Sequence, residues 1–425
     1  MSTGVSEGSD YVALIGIDWA DEKHDVAILD TRTGKREQKV IVHTPEGLVE
    51  WTSWLRERFE GGQVAVCVEQ AKGGLIYGLM MYGFITIYPI NPHAFSEYRT
   101  ALHVSGAKDD PTDAALLLDY LEKHREHLRA WVPDDEITRL LAMMVEDRRK
   151  AVDQRTNLTN RLRAALKAYY PQALSWAGEE LHTSLACDFL AKWPTLASAK
   201  KTKAEVIRKF YYGHQCRKSE LIEERIREIQ NGTPLTTDRA VIDASVMVVK
   251  MVVGQLRILH EAIAEYDRKI AEVFSSHKDR DIFNSLPGAG ENLAPRLLIA
   301  MGTDRNRFES SEEVQCMVGI APVLERSGKK SHVHWRWACD KFTRQSFHEF
   351  ANCSRRDCLW AQAFYQKQRD RGKDHHACVR ALAYKWIRII YRCWKDRVLY
   401  DDAAYLSSLK VRGSDLCQLI DQVAS

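Results

Sequence analysis

Four acidic side chains have the types and spacing of a metal-ion site: Asp18, Glu69, Asp110 and Asp113. Asp18 ends the run Ile15-Gly16-Ile17-Asp18, and Glu69 ends Val64-Ala65-Val66-Cys67-Val68-Glu69. The other two sit in Lys108-Asp109-Asp110-Pro111-Thr112-Asp113, which reads as the opening of a helix. Strand ends bring carboxylates together from distant parts of a chain, and a helix adds two more from one face. Such a cluster repels itself unless a cation neutralises it. Hard oxygen ligands, with no thiolate or imidazole among them, suit Mg²⁺ or Mn²⁺. The chemistry that follows is phosphodiester cleavage, or the positioning of phosphates. Plainer readings stand beside it. Asp110-Pro111-Thr112-Asp113 is also an ordinary helix start, with an N-cap, Pro at the first helical position and an acid in the first turn. Asp18 after an apolar strand is also a plain loop acid.

The elements that must hold these acids can be read from periodicity. Residues 11–18, 24–30 and 38–43 read as strands, with Gly34 supplying a positive φ in the turn between the last two. Thr44 and Pro45 start a helix as N-cap and first residue, and Leu48, Trp51, Leu55 and Phe59 recur at helical spacing. Residues 64–69 form a buried strand, about 73–82 a helix and 84–90 a further strand. A helix from Thr112 to about His124 carries Ala114, Leu117, Leu118 and Leu121 on its apolar side. Three strands, helix, strand, helix, strand, helix is an RNase H-like order, and it ends near Trp131-Val132-Pro133.

Beyond it the chain turns helical. Long amphipathic patterns free of Pro cover 136–170 and 238–276 and suit an antiparallel hairpin or a dimerising coiled coil. Residues 175–235, with Trp193-Pro194 and Lys200-Lys201-Thr202-Lys203, read as a small helical insert. From Ile282 the segment Leu286-Pro287-Gly288-Ala289-Gly290 resembles a helix-hairpin-helix turn. In such a turn Gly288 and Gly290 let backbone amides approach a DNA phosphate; an equally common role is structural. Glu325-Arg326-Ser327-Gly328-Lys329-Lys330 reads as a polar, flexible stretch presenting one serine among cations, and helices resume near Lys341. The run Tyr384-Lys385-Trp386-Ile387-Arg388 to Trp394 either binds nucleic acid or is a helix with an aromatic core face.

At 425 residues the chain exceeds one compact core. Its 45% hydrophobic and 28% charged content is that of a globular protein. No apolar run approaches the roughly 20 residues that cross a bilayer, so no membrane partner is expected. Residues 1–10 read as a disordered polar tail without export features. Ten cysteines, with no Cys-x-x-Cys, fit a reducing cytoplasm. His375, His376 and Cys378 with Cys353 and Cys358 match no usual zinc spacing. The net charge of +3 is unevenly spread. Arg326 to Arg397 holds 18 Lys and Arg against 6 Asp and Glu, the footprint of a polyanionic partner.

Together these residues carry a family resemblance. The chain resembles the DEDD transposases of bacterial insertion elements, the bridge-RNA-guided serine recombinases related to Piv-type DNA invertases. Gly16-Ile17-Asp18, Val68-Glu69 and Lys108-x-Asp110-x-x-Asp113-Ala114 follow the order of the family's RuvC-like domain. Pro287-Gly288-Ala289-Gly290, Phe308, Gly319-Ile320-Ala321-Pro322 and Ser327-Gly328 match its C-terminal transposase domain. Basic residues follow Ser327-Gly328 where the family often has small ones.

The resemblance implies an α/β plus α fold: an RNase H/RuvC-like domain (11–133), a helical, coiled-coil region (134–277, with the insert 175–235) and a mainly helical transposase domain (278–425). It implies Mg²⁺ or Mn²⁺ on Asp18, Glu69, Asp110 and Asp113, and Ser327 as a nucleophile leaving a 5′-phosphoserine link. Gly288, Gly290, Arg326, Lys329, Lys330 and Arg336 become candidate nucleic-acid contacts. The implied partners are donor and target DNA, a non-coding bridge RNA and further copies of the chain, as dimers and tetramers, in a bacterial cytoplasm. Two alternatives remain open: a metal-dependent RuvC-like nuclease or junction resolvase without a covalent intermediate, and a non-enzymatic nucleic-acid-binding regulator.

Overall fold

The computed structural model describes residues 11–69, 72–102, 110–328 and 330–424, with the side chains of Asp110 and 421–424 left aside. The expected tail, 1–10, and Lys329 lie outside these residues. The chain divides into two compact units, 1–133 and 134–425.

In the first unit, β1 (Ala13–Asp18), β2 (Lys23–Asp30) and β3 (Arg36–Val42) form a meander. It is followed by α1 (Pro45–Arg58), β4 (Val64–Val68), α2 (Gly74–Leu79), β5 (Ile85–Pro89), α3 (Pro92–Leu102) and α4 (Asp110–His124). The mixed sheet has the order β3-β2-β1-β4-β5. β1 pairs antiparallel with β2 and parallel with β4, which pairs parallel with β5. The central strands are apolar throughout because helices cover both faces. Alternation splits their side chains cleanly. Ala13, Ile15, Ile17, Val64, Val66 and Val68 pack with Trp51, Leu55 and Leu79 of α1 and α2. Leu14, Ala65, Cys67, Ala27 and Leu29 pack with Ala114, Leu117 and Leu121 of α4. Thr44 caps α1 by accepting from the Gly47 amide at 3.1 Å.

α4 can lie this close only because Gly16 has no side chain. A Cβ there would stand 2.2 Å from the Ala114 carbonyl oxygen and 2.4 Å from the Leu118 amide nitrogen. α3 was not expected. Its inward face is thin, with Phe95 its one buried side chain, although Phe95, Tyr98 and Leu102 recur at helical spacing.

The second unit opens with α5 (Glu136–Tyr169) and, after short helices α6 to α10 between Ala173 and Asn231, α11 (Arg239–Ser276). Asp135 and Asp238 cap the two long helices, which pack together as an antiparallel pair. One end of the pair, with Leu162, Leu166, Val253 and Leu256, joins a core with Trp176, Phe189, Trp193 and Tyr211. The other end, with Leu141, Val145, Ile270 and Phe274, joins the C-terminal core.

That core is built from α12 (Arg280–Asn284), α13 (Gly290–Met301), α14 (Ser311–Met317), α15 (Lys341–Asp357), α16 (Leu359–Asp370), α17 (His375–Asp396), α18 (Asp402–Val411) and α19 (Leu416–Ala424). Trp386 and Trp394 of α17 are fully buried in it, so the aromatic residues of that run form the inner face of a helix whose Arg388 is exposed on the outside, with Tyr384 half-exposed at the edge. The stretch around Ser327 is not a loop. It is a hairpin of β6 (Val323–Ser327) and β7 (Lys330–His334), turned by Gly328 at φ +57°.

Candidate active site

Strand pairing brings the first two acids together. Ile17 of β1 lies opposite Val68 of the parallel strand β4, so Asp18 and Glu69 leave the same end of neighbouring strands, about 4.8 Å apart. By the alternation along each strand, both point to the face that α4 covers. On the other side of β1, Asp18 is paired with Asp25 of β2, a buried acid on the same face that the sequence reading missed. Directly paired side chains have Cβ atoms about 4.5–5.5 Å apart, and like charges so placed repel. Only the register reveals Asp25, since its spacing from Asp18 in sequence matches no motif.

The helix supplies the rest. Asp113 precedes Ala114, which rests on Gly16, so the first turn of α4 overlies the acid-bearing strand end. The Asp113 side chain is 3% exposed and accepts from Arg99 Nη1 of α3 at 2.8 Å. Its Oδ1 is buried and has no partner among the described residues. Asp110 opens α4, but its side chain is outside the described residues. Among the described residues, no three His, Cys, Asp or Glu side chains are gathered closely enough to hold a metal ion. The donor chemistry nevertheless fits one. An all-carboxylate set with an unpartnered buried oxygen on Asp113 suits a hard cation.

Beneath the opposite face, His24 Nε2 lies 2.8 Å from His43 Nδ1. Burial, and secondly the His43 charge, lower the His24 pKa to about 4, which keeps the ring neutral.

Ser327 belongs to the other unit. It ends β6, is exposed and pairs with Lys330. Paired residues share a face, so Lys330 stands on the side of Ser327 while Arg326, paired with Ser331, points the other way. Glu325 and His332 form the next pair on the Ser327 face, and Glu325 also meets His334 at 3.1 Å. His332 is a second residue that the sequence reading passed over, visible only once the register is known. Arg336 follows the hairpin, its Nε 3.4 Å from the Ala321 carbonyl. The two turn glycines separate in role. Gly288, at φ +78°, packs onto α15: a Cβ would meet the backbone of Cys353 and Ser354 at 2.9 Å. Gly290, at φ +55°, has open space around it and begins α13.

Comparison with known proteins bears on both units. A family model described as transposase, of the IS110 DEDD type, matches residues 15–171. A second, described as transposase IS116/IS110/IS902 family, matches residues 280–366. This chain belongs to the IS110-type DEDD transposases. Among the relatives of this transposase is a mini-circle putative transposase for IS117 from Streptomyces coelicolor, 27% identical over 91% of this chain and 95% of that protein. An uncharacterized 42 kDa protein of insertion element IS900 from Mycobacterium paratuberculosis is 23% identical over 91% of this chain and 97% of its own length. A putative transposase, y4uE, from Sinorhizobium fredii is 30% identical over 48% of this chain and 57% of that protein. The two matched segments hold all the candidate catalytic residues of the transposase, the acids in one and Ser327 in the other. No helix among the described residues is long and apolar enough to cross a membrane.

Proposed function

We propose that this transposase cuts and rejoins DNA through an RNase H/RuvC-like carboxylate site and a serine nucleophile. The observation that carries the reading is the meeting of Asp18, Glu69 and the first turn of α4 at one end of the sheet, on one face. Asp18, Glu69, Asp110 and Asp113 would hold Mg²⁺ or Mn²⁺, and Asp25 would add charge beside them. A bound divalent cation supplies charge neutralisation at the scissile phosphate.

Ser327 Oγ attacks phosphorus. The Oγ–P bond forms as the P–O3′ bond breaks, leaving a 5′-phosphoserine and a free 3′ hydroxyl. The Oγ proton passes to a base, for which His332 is placed on the same face of the hairpin, and O3′ gains a proton. Lys330, paired with Ser327, offers positive charge to the transition state. Attack by a 3′ hydroxyl of the second duplex reverses these steps and releases the serine.

A bridge RNA would pair with donor and target DNA while the protein reads backbone and shape. The excess of Lys and Arg from Arg326 to Arg397 supports that partner class. Exchange needs one serine for each strand cut, so a dimer, or a tetramer on DNA, is expected. Met247, Met251 and Ile258, exposed along α11, support self-association.

Trapping tests the reading. On a nicked suicide duplex with Mg²⁺, wild-type protein should form a denaturation-resistant adduct that peptide mapping places on Ser327. Ser327→Ala should fold and bind nucleic acid yet form none, and Asp18→Asn or Glu69→Gln should abolish recombination and weaken Mn²⁺ binding. Normal cleavage by Ser327→Ala, with Asp18→Asn dead, would instead establish a metal-dependent nuclease without a covalent step.

A further inference from the structure

An open groove of about 780 Å³ runs along the foot of the Ser327 hairpin, between Pro322 and Trp335 on one side and α16 and α17 on the other. Trp335, Phe364 and Tyr384 present aromatic surface to it, and Arg336, Arg371 and Arg380 present positive charge. Among the described residues no carboxylate lines it. Its volume lies within the ~300–1,000 Å³ that accommodates a drug-sized ligand, enough for an extended nucleotide.

The aromatic surface is held out rather than folded in. Trp335 is 40% exposed, and Trp337, two residues on, is 75% exposed. Tryptophan is rarely left so open. Arg380 lies 4.3 Å from the centre of the Trp335 ring and Arg344 lies 5.0 Å from it. Both guanidiniums pack against the indole, and 40% of the residue stays open to solvent. The local field is strongly positive. His348, whose ring lies 6.3 Å from that of Trp335, has its pKa pushed down to about 4, first by burial and then by the charges of Arg380, Arg344 and His376.

We propose that this groove binds an unpaired stretch of DNA, with a base stacked on Trp335 and the flanking phosphates met by Arg336, Arg371 and Arg380. Three observations select a single strand. Trp335, Phe364 and Tyr384 line the groove, and stacking on such rings takes a base that is free of its pair. Arg336, Arg371 and Arg380 line the same groove as those rings, so one strand's phosphates can be met where its base stacks. The groove also lies on the hairpin that carries Ser327. A stacked base and a neutralised backbone are the two devices by which proteins hold single strands without reading sequence. The choice of DNA over RNA rests on the proposed role of Ser327: a strand opened by cleavage there is held at the foot of the same hairpin, roughly 13 Å from its tip.

The test uses the full chain in EDTA and a fluorescein-labelled oligothymidylate of about twelve nucleotides, with a blunt duplex and the matching oligouridylate as comparisons. Trp335→Ala should weaken single-strand DNA binding about 5- to 100-fold, the range expected for loss of one stacking platform. It should leave duplex binding within about twofold and the fold intact by circular dichroism. Trp335→Phe, which keeps a π-face, should recover most of the affinity, and Arg380→Ala should weaken binding and flatten its salt dependence. Single-strand affinity unchanged in Trp335→Ala, or an equal loss on duplex, would overturn the groove assignment. Tighter binding of the oligouridylate, with the same Trp335 dependence, would overturn DNA as its occupant. Adduct formation at Ser327 is scored separately. Its absence in wild-type protein removes the serine mechanism while leaving the binding ratios to stand or fall alone.

Discussion

Arg99 donates to one oxygen of Asp113 at 2.8 Å while the other oxygen of that carboxylate is buried with no partner among the described residues. The arginine therefore supplies half of the neutralisation that an enclosed carboxylate requires, and the vacant lone pairs are what a hard cation would take. Arg99→Ala should destabilise the metal-free first unit by about 1–3 kcal/mol, the cost of leaving a charged acceptor unsatisfied. Thermal melts in EDTA should show the loss, and millimolar MnCl₂ should restore more of the melting temperature in the variant than in wild type. Equal response to Mn²⁺ in both proteins would separate Asp113 from the cation site.

Gly16 sets how closely α4 approaches the sheet. An alanine there would overlap backbone atoms of Ala114 and Leu118, which cannot move aside as a side chain can. Gly16→Ala should cost at least about 1–3 kcal/mol, as overpacking does, and displace Asp113 from Asp18. Mn²⁺ affinity and recombination should then fall together even at temperatures where the variant remains folded by circular dichroism. A variant as stable as wild type would show that the helix has another seat.

The Arg305–Asp279 pair is a stability element of the second unit. Arg305 Nη2 and Nη1 lie 2.7 and 2.9 Å from the two carboxylate oxygens, and both side chains are nearly enclosed. Removing one partner leaves a buried charge, so Arg305→Ala should lose about 3–5 kcal/mol. Replacing both residues with apolar ones should be much milder. Denaturant titrations of the single and double variants decide this.

Acid should loosen both units. His24 and His348 each have pKa values lowered from 6.5 to about 4. Between those values the unfolded chain binds protons that the folded chain refuses, so folding weakens as pH falls. The contribution is whole above about pH 6.5 and is lost progressively toward pH 4. Melting temperatures measured across that window should fall steadily, and His348→Leu should flatten part of the slope. A melting temperature that rises on acidification from pH 6.5 would contradict the neutral, buried state of both rings.

Much of the first unit was legible because its signals are local. The Ile15-Gly16-Ile17-Asp18 and Val64 to Glu69 runs announce buried parallel strands, and Thr44-Pro45 announces a helix start. What escaped depends on pairing across the chain. Asp25 joins the acids only through its register with Asp18, and His332 joins Ser327 only through theirs. The stretch from Glu325 to Lys330 looked flexible because its strands are short, polar and exposed. A tight turn at Gly328, not an apolar pattern, organises it. Gly288 looked like a phosphate-facing residue because sequence shows that a glycine is needed, but not which backbone it must admit; here that backbone belongs to α15.

The antiparallel pair of α5 and α11 shares its two ends between two separate cores. Neither helix contains a proline, and α11 alone extends about 57 Å at 1.5 Å per residue. Geometry then makes it a lever. A tilt of one degree at the end seated on Ile270 and Phe274 carries the part seated on Val249 and Val253, roughly 30 Å away, through about 0.5 Å. Leverage of that kind would let a small repacking near the C-terminal core swing the whole α6–α10 lobe as a solid body, with no bond inside it having to change.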